Sequence, residues 1–485
     1  MKRASSAFVA VVCVVAMSAC RSESSSEDSA PNEAAATTAP GESAATTTGS
    51  ADISGGADST AAETAAGGAS FGTLENVCGP GSPTAASNQG VTATEIQVST
   101  FTDMGFTKNA EFPNTAEVFT AWCNEQGGIN GRTIVSNTRD ARLTEDRQRM
   151  IEACASDFAV VGGGAAFDQA GVKDRLTCLL PEIPAQVVSV ANTGSDLQVL
   201  VTPYNPGFTQ YEGYFGWLIN EAYPESKDAI GIIAGDVAVT KDIADQDKEL
   251  LEALGATVAY YDLYPASGAS DWTPYAQAIK DGGVKGLVFL GDFRNLAKLE
   301  QSLTDIGYAP DWIDANSNAY NAEFLELGAG VFDDQNNYVP LGIHPTELAA
   351  DNPATQQLVD LFEQYKPDAA ITLPAVQAFS SWLMFAVAAR DCGDDLTRRC
   401  LYDNAVKYRD GWDGGGLTAP VTPTGDAGEA QVCWTAMQPT ADGFVLADVQ
   451  PESGFFRCST LATPVTVTGE PSTLADLGLT IDDVP

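Results

Sequence analysis

Histidine is almost missing from this chain: 485 residues hold one, His344. Zinc sites and proton relays built on two imidazoles are thereby excluded. Basic residues are scarce too, 25 Lys and Arg against 65 Asp and Glu, for a formal charge of −40. Such a field repels phosphate backbones, so no nucleic-acid partner is expected. No C-x-x-C spacing occurs, which removes thioredoxin-like chemistry and zinc ribbons. No G-x-S-x-G elbow follows a strand-like run, and no Walker loop is present. What is present is a globular composition, 44% hydrophobic with ordinary Gly and Pro content, which rules out collagen-like and wholly disordered chains.

The first twenty residues point to export. Lys2 and Arg3 precede an apolar run, Ala7 to Met17, that has the length of a signal-peptide core and is too short to span a bilayer. The run ends in Met17-Ser18-Ala19-Cys20, which resembles the lipobox of bacterial lipoproteins, with Met17 in place of the usual Leu. Residues 1–19 are thus read as a signal peptide and Cys20 as the lipidated N-terminus. Two acyl chains are what stable anchoring takes, so the protein is expected on the extracytoplasmic face of the cell membrane, held by lipid only. From Arg21 to Ser70 the chain is Ser, Ala, Thr, Gly and Glu with Ile53 as its only large apolar residue, a tether with an end-to-end distance of about 40 Å. The remainder, about 415 residues, suits two or three domains.

Ten cysteines less Cys13 and Cys20 leave eight: Cys78, Cys123, Cys154, Cys178, Cys392, Cys400, Cys433 and Cys458. An even set in an exported protein reads as disulfides. Many connectivities are open, and short-loop closure favours neighbours in order: Cys78–Cys123, Cys154–Cys178, Cys392–Cys400 and Cys433–Cys458.

Strand-like and helix-like runs alternate twice. The first series has strands at Ile96 to Phe101, Thr133 to Asn137, Phe158 to Val161 and Val187 to Val190. Its helices begin at Asn114, by a capping box with Glu117, at Thr144 and at Asp168. The second has strands at Ala229 to Ala234, Thr257 to Asp262, Leu287 to Leu290 and Trp312 to Asp314, with helices at Lys241, Trp272 and Arg294. This order predicts an α/β protein of two doubly wound parallel sheets. Later helices are expected at Asn352 to Tyr365 and Pro374 to Arg390, the latter apolar nearly all round and so packed on most sides.

In such sheets ligands sit beyond the carboxyl ends of the strands. The candidates there are Asp103, the glycine loop Gly163, Gly164, Ala165 and Ala166, Asn192, Asp236, Asp292, Arg294 and Asn316. The glycine run lets backbone approach a ligand, with the next helix N-terminus offering amides to an anionic oxygen. Catalysis has little support. His344 precedes Pro345 in an apparent loop and is expected at the surface, while Asp333-Asp334 and Asp394-Asp395 look like solvated loop charges and Asp271 like a helix cap. No enzymatic role, metal or cofactor is expected, although an extracellular hydrolase using two carboxylates stays open.

Asn124-Glu125-Gln126-Gly127-Gly128-Ile129-Asn130-Gly131-Arg132 resembles the N-x-x-G-G-I-N-G-R element of the branched-chain amino acid type of solute-binding proteins of ABC importers. Phe101-Thr102-Asp103, the Phe158 to Gly164 loop, Asp271 to Tyr275 and Gly414 to Pro420 follow in that family's order, so the resemblance covers about Val91 to Cys458. It implies the type I periplasmic-binding-protein fold: two lobes joined by three crossover hinges, near Tyr204, Asn316 and Val432, that close on a ligand. Residues 71–204 and 316–431 would form lobe 1, and 205–315 with 432–485 lobe 2. It also implies a bridge between Cys154 and Cys178, an ABC permease as partner, and Asp292 as partner of a ligand ammonium. The departure lies in the glycine loop, which lacks the family's Ser or Thr. The ligand class therefore stays at a small polar solute of amino acid, amide or carboxylate type. A sensory module speaking to another membrane partner would leave the same sequence.

Overall fold

The computed structural model describes residues 68–104, 110–204, 207–421 and 431–485; the leader, Cys20 and the tether up to residue 67 lie outside these. The folded body begins slightly earlier than the composition suggested. Strand β1 (Ala69–Phe71) pairs antiparallel with β2 (Leu74–Cys78). Phe71 is fully buried and packs its ring 4.9 Å from Phe379, which draws Ala69 and Ser70 into pairing.

The first sheet runs β4-β3-β5-β6, from β3 (Glu95–Thr102), β4 (Thr133–Asp140), β5 (Val160–Val161) and β6 (Glu182–Ile183), all parallel. Helices α1 (Glu111–Glu125), α2 (Asp146–Ser156) and α3 (Val172–Thr177) connect them. Helix α1 buries Val118, Phe119 and Trp122 as the spacing predicts, but starts before the expected cap. Asn114 donates its amide to the Ala110 carbonyl, and Pro113 is tolerated in a first turn, so Asn114 is helical rather than a cap. The expected strand Val187–Val190 is instead a loop. Asp168 takes the amides of Val188 and Ser189 onto its carboxylate, and donors so occupied are lost to a ladder. The helix expected from Asp168 is instead broken into a 3-10 turn, Asp168–Ala170, and the short α3.

Beyond the first lobe the chain enters α4 (Glu212–Trp217). Then β7 (Ile230–Gly235), α5 (Ala238–Ala253), β8 (Val258–Tyr264), α6 (Thr273–Asp281), β9 (Gly286–Leu290), α7 (Phe293–Asp305), β10 (Trp312–Asp314), α8 (Ala322–Gly328) and β11 (Asn337–Leu341) follow. The strand order is β8-β7-β9-β10-β11-β12-β13, with β12 (Gln431–Thr440), β13 (Gly443–Leu446) and β14 (Arg457–Thr460) antiparallel additions. Because β11 pairs parallel with β10, the chain does not return to the first lobe near Asn316. Asn316 adopts a left-handed φ of 55° and donates its side-chain amide to the carbonyls of Phe289 and Gly291, which folds the chain back onto this sheet. The return comes after Leu341, where Ile343 bridges Thr418.

Helices α9 (Pro353–Tyr365), α10 (Leu373–Arg390) and α11 (Arg398–Arg409) then pack on the first lobe. Helix α10 is buried along almost its whole length, with Trp382 stacked on Phe119 and Ser381 bonded to the Pro184 carbonyl at 2.8 Å. No helix among the described residues is long and apolar enough to cross a membrane. The four disulfides join neighbours in order: Cys78–Cys123, Cys154–Cys178, Cys392–Cys400 and Cys433–Cys458. One further correction concerns the C-terminus, placed above in lobe 2. Leu474 and Val484 bury against Val172, Leu176 and Leu197, so the last residues lie on the first lobe.

Candidate functional site

At the carboxyl edge of the first sheet, β3 delivers Asp103, which is 7% exposed. One of its oxygens accepts the Leu143 amide and the other the Ala166 amide, both at 2.6 Å. Asp103 thus staples the loop after β4 to the glycine loop after β5. Gly163 is required by close approach: a Cβ there would lie 2.5 Å from the Phe101 backbone. Its carbonyl accepts the amides of Ala185 and Gln186, and Gly164 donates to the Phe101 carbonyl. The loop's Gly164 and Ala166 amides are therefore spent on the fold. The following helix is short and preceded by a 3-10 turn, so the anion cradle expected at its start is not formed. Ala165 is buried and Phe167, next to Ala166, is 42% exposed.

Asn192 is 4% exposed and faces inward. It donates to Asp168 at 3.2 Å and accepts from Gln198 at 3.1 Å. Behind the glycine loop a cavity of about 10 Å³, too small for a solute, is lined by Asp146, Asp168, Arg175 and Glu182. Burial, then Asp168 and Glu182, push the Asp146 carboxyl up to about 8. Arg175, wholly buried, is pushed down by desolvation, and its Nε lies 3.4 Å from Glu182.

On the second lobe, Asp236 pairs with Lys241 at 2.9 Å and is about half exposed. Asp292 caps α7, accepting the Arg294 amide at 2.8 Å, and its other oxygen meets the Arg294 guanidinium at 3.2 Å. Arg294 also donates through Nε to Glu323 at 2.6 Å. Asp292 therefore serves as the cap that a Gly-Asp step before a helix suggests, with its charge already paired. Gly291 has φ 149°, and a Cβ there would run into the Tyr264 hydroxyl. Asn316, bonded to the Gly291 carbonyl, joins Asp292 and Arg294 at one edge. Beneath it Asp314 accepts from Tyr214 at 3.1 Å and from the Asn316 amide at 3.3 Å, and burial pushes it up to about 7. Asp247 on α5, buried with neither oxygen hydrogen-bonded, is pushed well above the usual carboxylate range by burial and then by Asp314.

The structure thus gathers the candidates into two groups, one per lobe: Asp103, Gly163 to Ala166 and Asn192, and Asp292, Arg294 and Asn316. Asp236 stands apart with Lys241. Sequence reasoning missed Asp168, Asp146, Glu323 and the Asp247–Asp314 pair. Asp168 had a signal, an acid just beyond a glycine run, but was read as a helix start. Among the described residues no group of three or more His, Cys, Asp and Glu is arranged to hold a metal. His344 is not at the surface as expected but 6% exposed, its ring 4.3 Å from Phe455. Asp394 is tied to Thr84 and Arg132.

Residues 109–443 match the periplasmic binding protein family. No curated protein sequence matches the chain. Among solved structures, a fatty acid ABC transporter substrate-binding protein from Thermomonospora curvata aligns with a TM-score of 0.62 at 18% identity, covering 76% of this chain and 95% of its own. A branched-chain amino acid substrate-binding protein from Streptococcus pneumoniae in complex with isoleucine gives 0.58 at 15%, covering 73% and 100%. A leucine-binding protein from Thermotoga maritima gives 0.57 at 13%, covering 73% and 97%. With that match over most of its body, and with one parallel sheet and one mixed sheet whose carboxyl edges carry the candidate loops, the chain belongs to the periplasmic binding protein family and has its type I fold.

Proposed function

We propose that the protein is a lipid-anchored, extracytoplasmic solute-binding protein. It captures a small solute between the carboxyl edges of its two lobes by lobe closure and hands it to an ABC permease. Cys20 carries the anchor, and binding occurs without turnover. The observation that shapes the ligand class is that charges at both edges are paired within their own lobe. Asp103 and Asp168 hold amides, Asp236 holds Lys241, and Asp292 and Glu323 hold Arg294. A zwitterion would have to displace these partners, at about 2 kcal/mol for each buried charged hydrogen bond lost and about 0.5 kcal/mol for each exposed ion pair. Neutral surface remains: exposed Phe167 and half-buried Val187, Val188 and Val190 on the first lobe, and half-buried Tyr211 and Ser317 on the second. Of the amino acid, amide and carboxylate classes, this favours an amide-like solute, or a carboxylate with an apolar body, held by backbone and neutral groups. One solved structure of like fold is named for a fatty acid, a carboxylate with an apolar body.

Native mass spectrometry of the protein purified without denaturation tests this. The expected result is one small amide, or carboxylate with an apolar body, per chain; tight binding of free amino acid zwitterions in a calorimetric panel would overturn the ligand class. For the anchor, Cys20→Ala should release the protein from the membrane fraction or leave an unprocessed precursor. A processed form still retained on membranes would refute it.

A further inference from the structure

The residues after β14 make a fourth connection between the lobes, beyond the segment that matches the family. Their first part is bound to the second lobe. Glu212 on α4 accepts the amides of Ala462 and Thr463 at 2.9 and 3.1 Å and the Thr463 hydroxyl at 2.8 Å. Val465 donates to the Gly207 carbonyl at 2.7 Å, and Glu249 on α5 accepts the Thr466 amide at 2.7 Å. The Cys433–Cys458 disulfide fixes the root of this segment to β12.

The last part is bound to the first lobe, on the segment that carries Asn192. Ser472 donates to the Ala191 carbonyl at 2.9 Å and accepts the Asp196 amide at 3.2 Å. Leu474 donates its amide to the Asp196 carboxylate at 2.6 Å, and its side chain is 4% exposed. The end is tied as well: Arg399 donates its backbone amide to Pro485 and its guanidinium to the Ile481 carbonyl. Only residues 467–471 lie between the two anchors, and a Cβ added at Gly469 would lie 3.7 Å from Val190.

Such a span, held at both ends by charge-assisted hydrogen bonds and buried apolar side chains, reaches at most about 20 Å and so bounds how far its two anchors can separate. We propose that Ala462–Pro485 is a strap that sets how far the lobes open and couples their opening to the position of the Val188–Asp196 loop at the candidate site. The inference rests on the lobe-closure reading above. On one side that loop is held by Asp168 through the amides of Val188 and Ser189. On the other it is held by the strap through Ala191 and Asp196. A pull transmitted from the second lobe through Glu212 and Glu249 is therefore delivered to the back of the loop. The strap residues are positioning residues and touch no solute themselves.

A short glycine–serine insertion after Gly469 in the full chain slackens the strap while keeping both anchors, and Glu212→Ala weakens the second-lobe anchor, removing three of its hydrogen bonds, with the chain length unchanged. The readouts are the distance distribution between spin labels at Gln148 on α2 and Lys298 on α7, both in the solute-free protein, and amide exchange at Asn192 to Gln198. Either change should broaden the distance distribution toward wider separations and speed exchange about tenfold, with global melting nearly unchanged for the insertion. Faster exchange with an unaltered distance distribution overturns the coupling, and so does no change in either. Both outcomes leave solute capture, read by native mass spectrometry, standing. A purified protein that carries no solute would sink the solute-binding reading instead.

Discussion

The two ends of the first sheet gather backbone groups with side chains of opposite charge. At the amino ends of β3 and β4 one buried cation, Arg132, gathers carbonyl oxygens: Thr92 at 2.9 Å, Gly393 at 3.1 Å and Asp394 at 2.9 Å. At the carboxyl ends two carboxylates, Asp103 and Asp168, gather amides. The amino end is the closed one, with Arg132 fully buried and Asn130 bonded to the Arg390 carbonyl. The carboxyl end orders loops that remain partly exposed. One end is therefore concerned with folding, and the other with presenting a surface.

The largest effect expected from this contrast is at Arg132. Arg132→Met leaves three carbonyls without their donor and should cost about 4 kcal/mol in denaturant unfolding, while the affinity for the recovered solute stays within about twofold in molecules that fold. A comparable loss of affinity would erase the distinction between the ends. Asp168→Asn should cost less, about 2 kcal/mol, because one acceptor oxygen survives. It should also weaken solute binding, since the Val188–Ser189 backbone loosens. Unchanged affinity would show that this loop is scaffold only.

The most specific element of the resemblance, Asn124 to Arg132, lies at the closed end. Asn124 accepts the Ile134 amide and donates to the Ile134 carbonyl, Gly127, Gly128 and Gly131 hold positive φ, and Arg132 collects carbonyls. These residues are legible because they build the shared backbone, and for the same reason they carry no information on the ligand. The α/β alternation and the disulfide order were equally legible, since both depend on local periodicity and short loops. The return of the chain after Leu341 was not, because β11 joins the second sheet by a pairing that no local pattern records. Nor were the roles of Asp168 and Asn192, whose polar atoms are used by partners brought in by the fold, some of them twenty or more residues away in sequence.

The buried acids extend the comparison to pH. Asp146 and Glu300 are pushed up to about 8 and Asp314 to about 7, in each case mainly by burial, and Asp247 moves in the same direction. Each folded-state value lies above the unfolded one. Their contribution to stability is thus complete below about pH 4 and is lost as pH rises through about 7 to 8. The melting temperature should fall between about pH 5 and pH 8, and Asp247→Asn should flatten that fall by removing one titrating group. A flat or rising profile would show that these carboxyls find partners when ionised. The smallest effect is expected at the second lobe's edge. Asp292→Ala removes a helix cap and should cost about 1 kcal/mol with little change in affinity. A loss of tenfold or more would restore Asp292 as a ligand anchor.

The most direct test of solute capture is small-angle scattering on the stripped protein, with and without the solute recovered from it. Capture between two closing lobes predicts a radius of gyration that shrinks saturably, reaching its limit at one solute per chain. A radius unchanged at saturating solute, with binding confirmed by calorimetry, would contradict it.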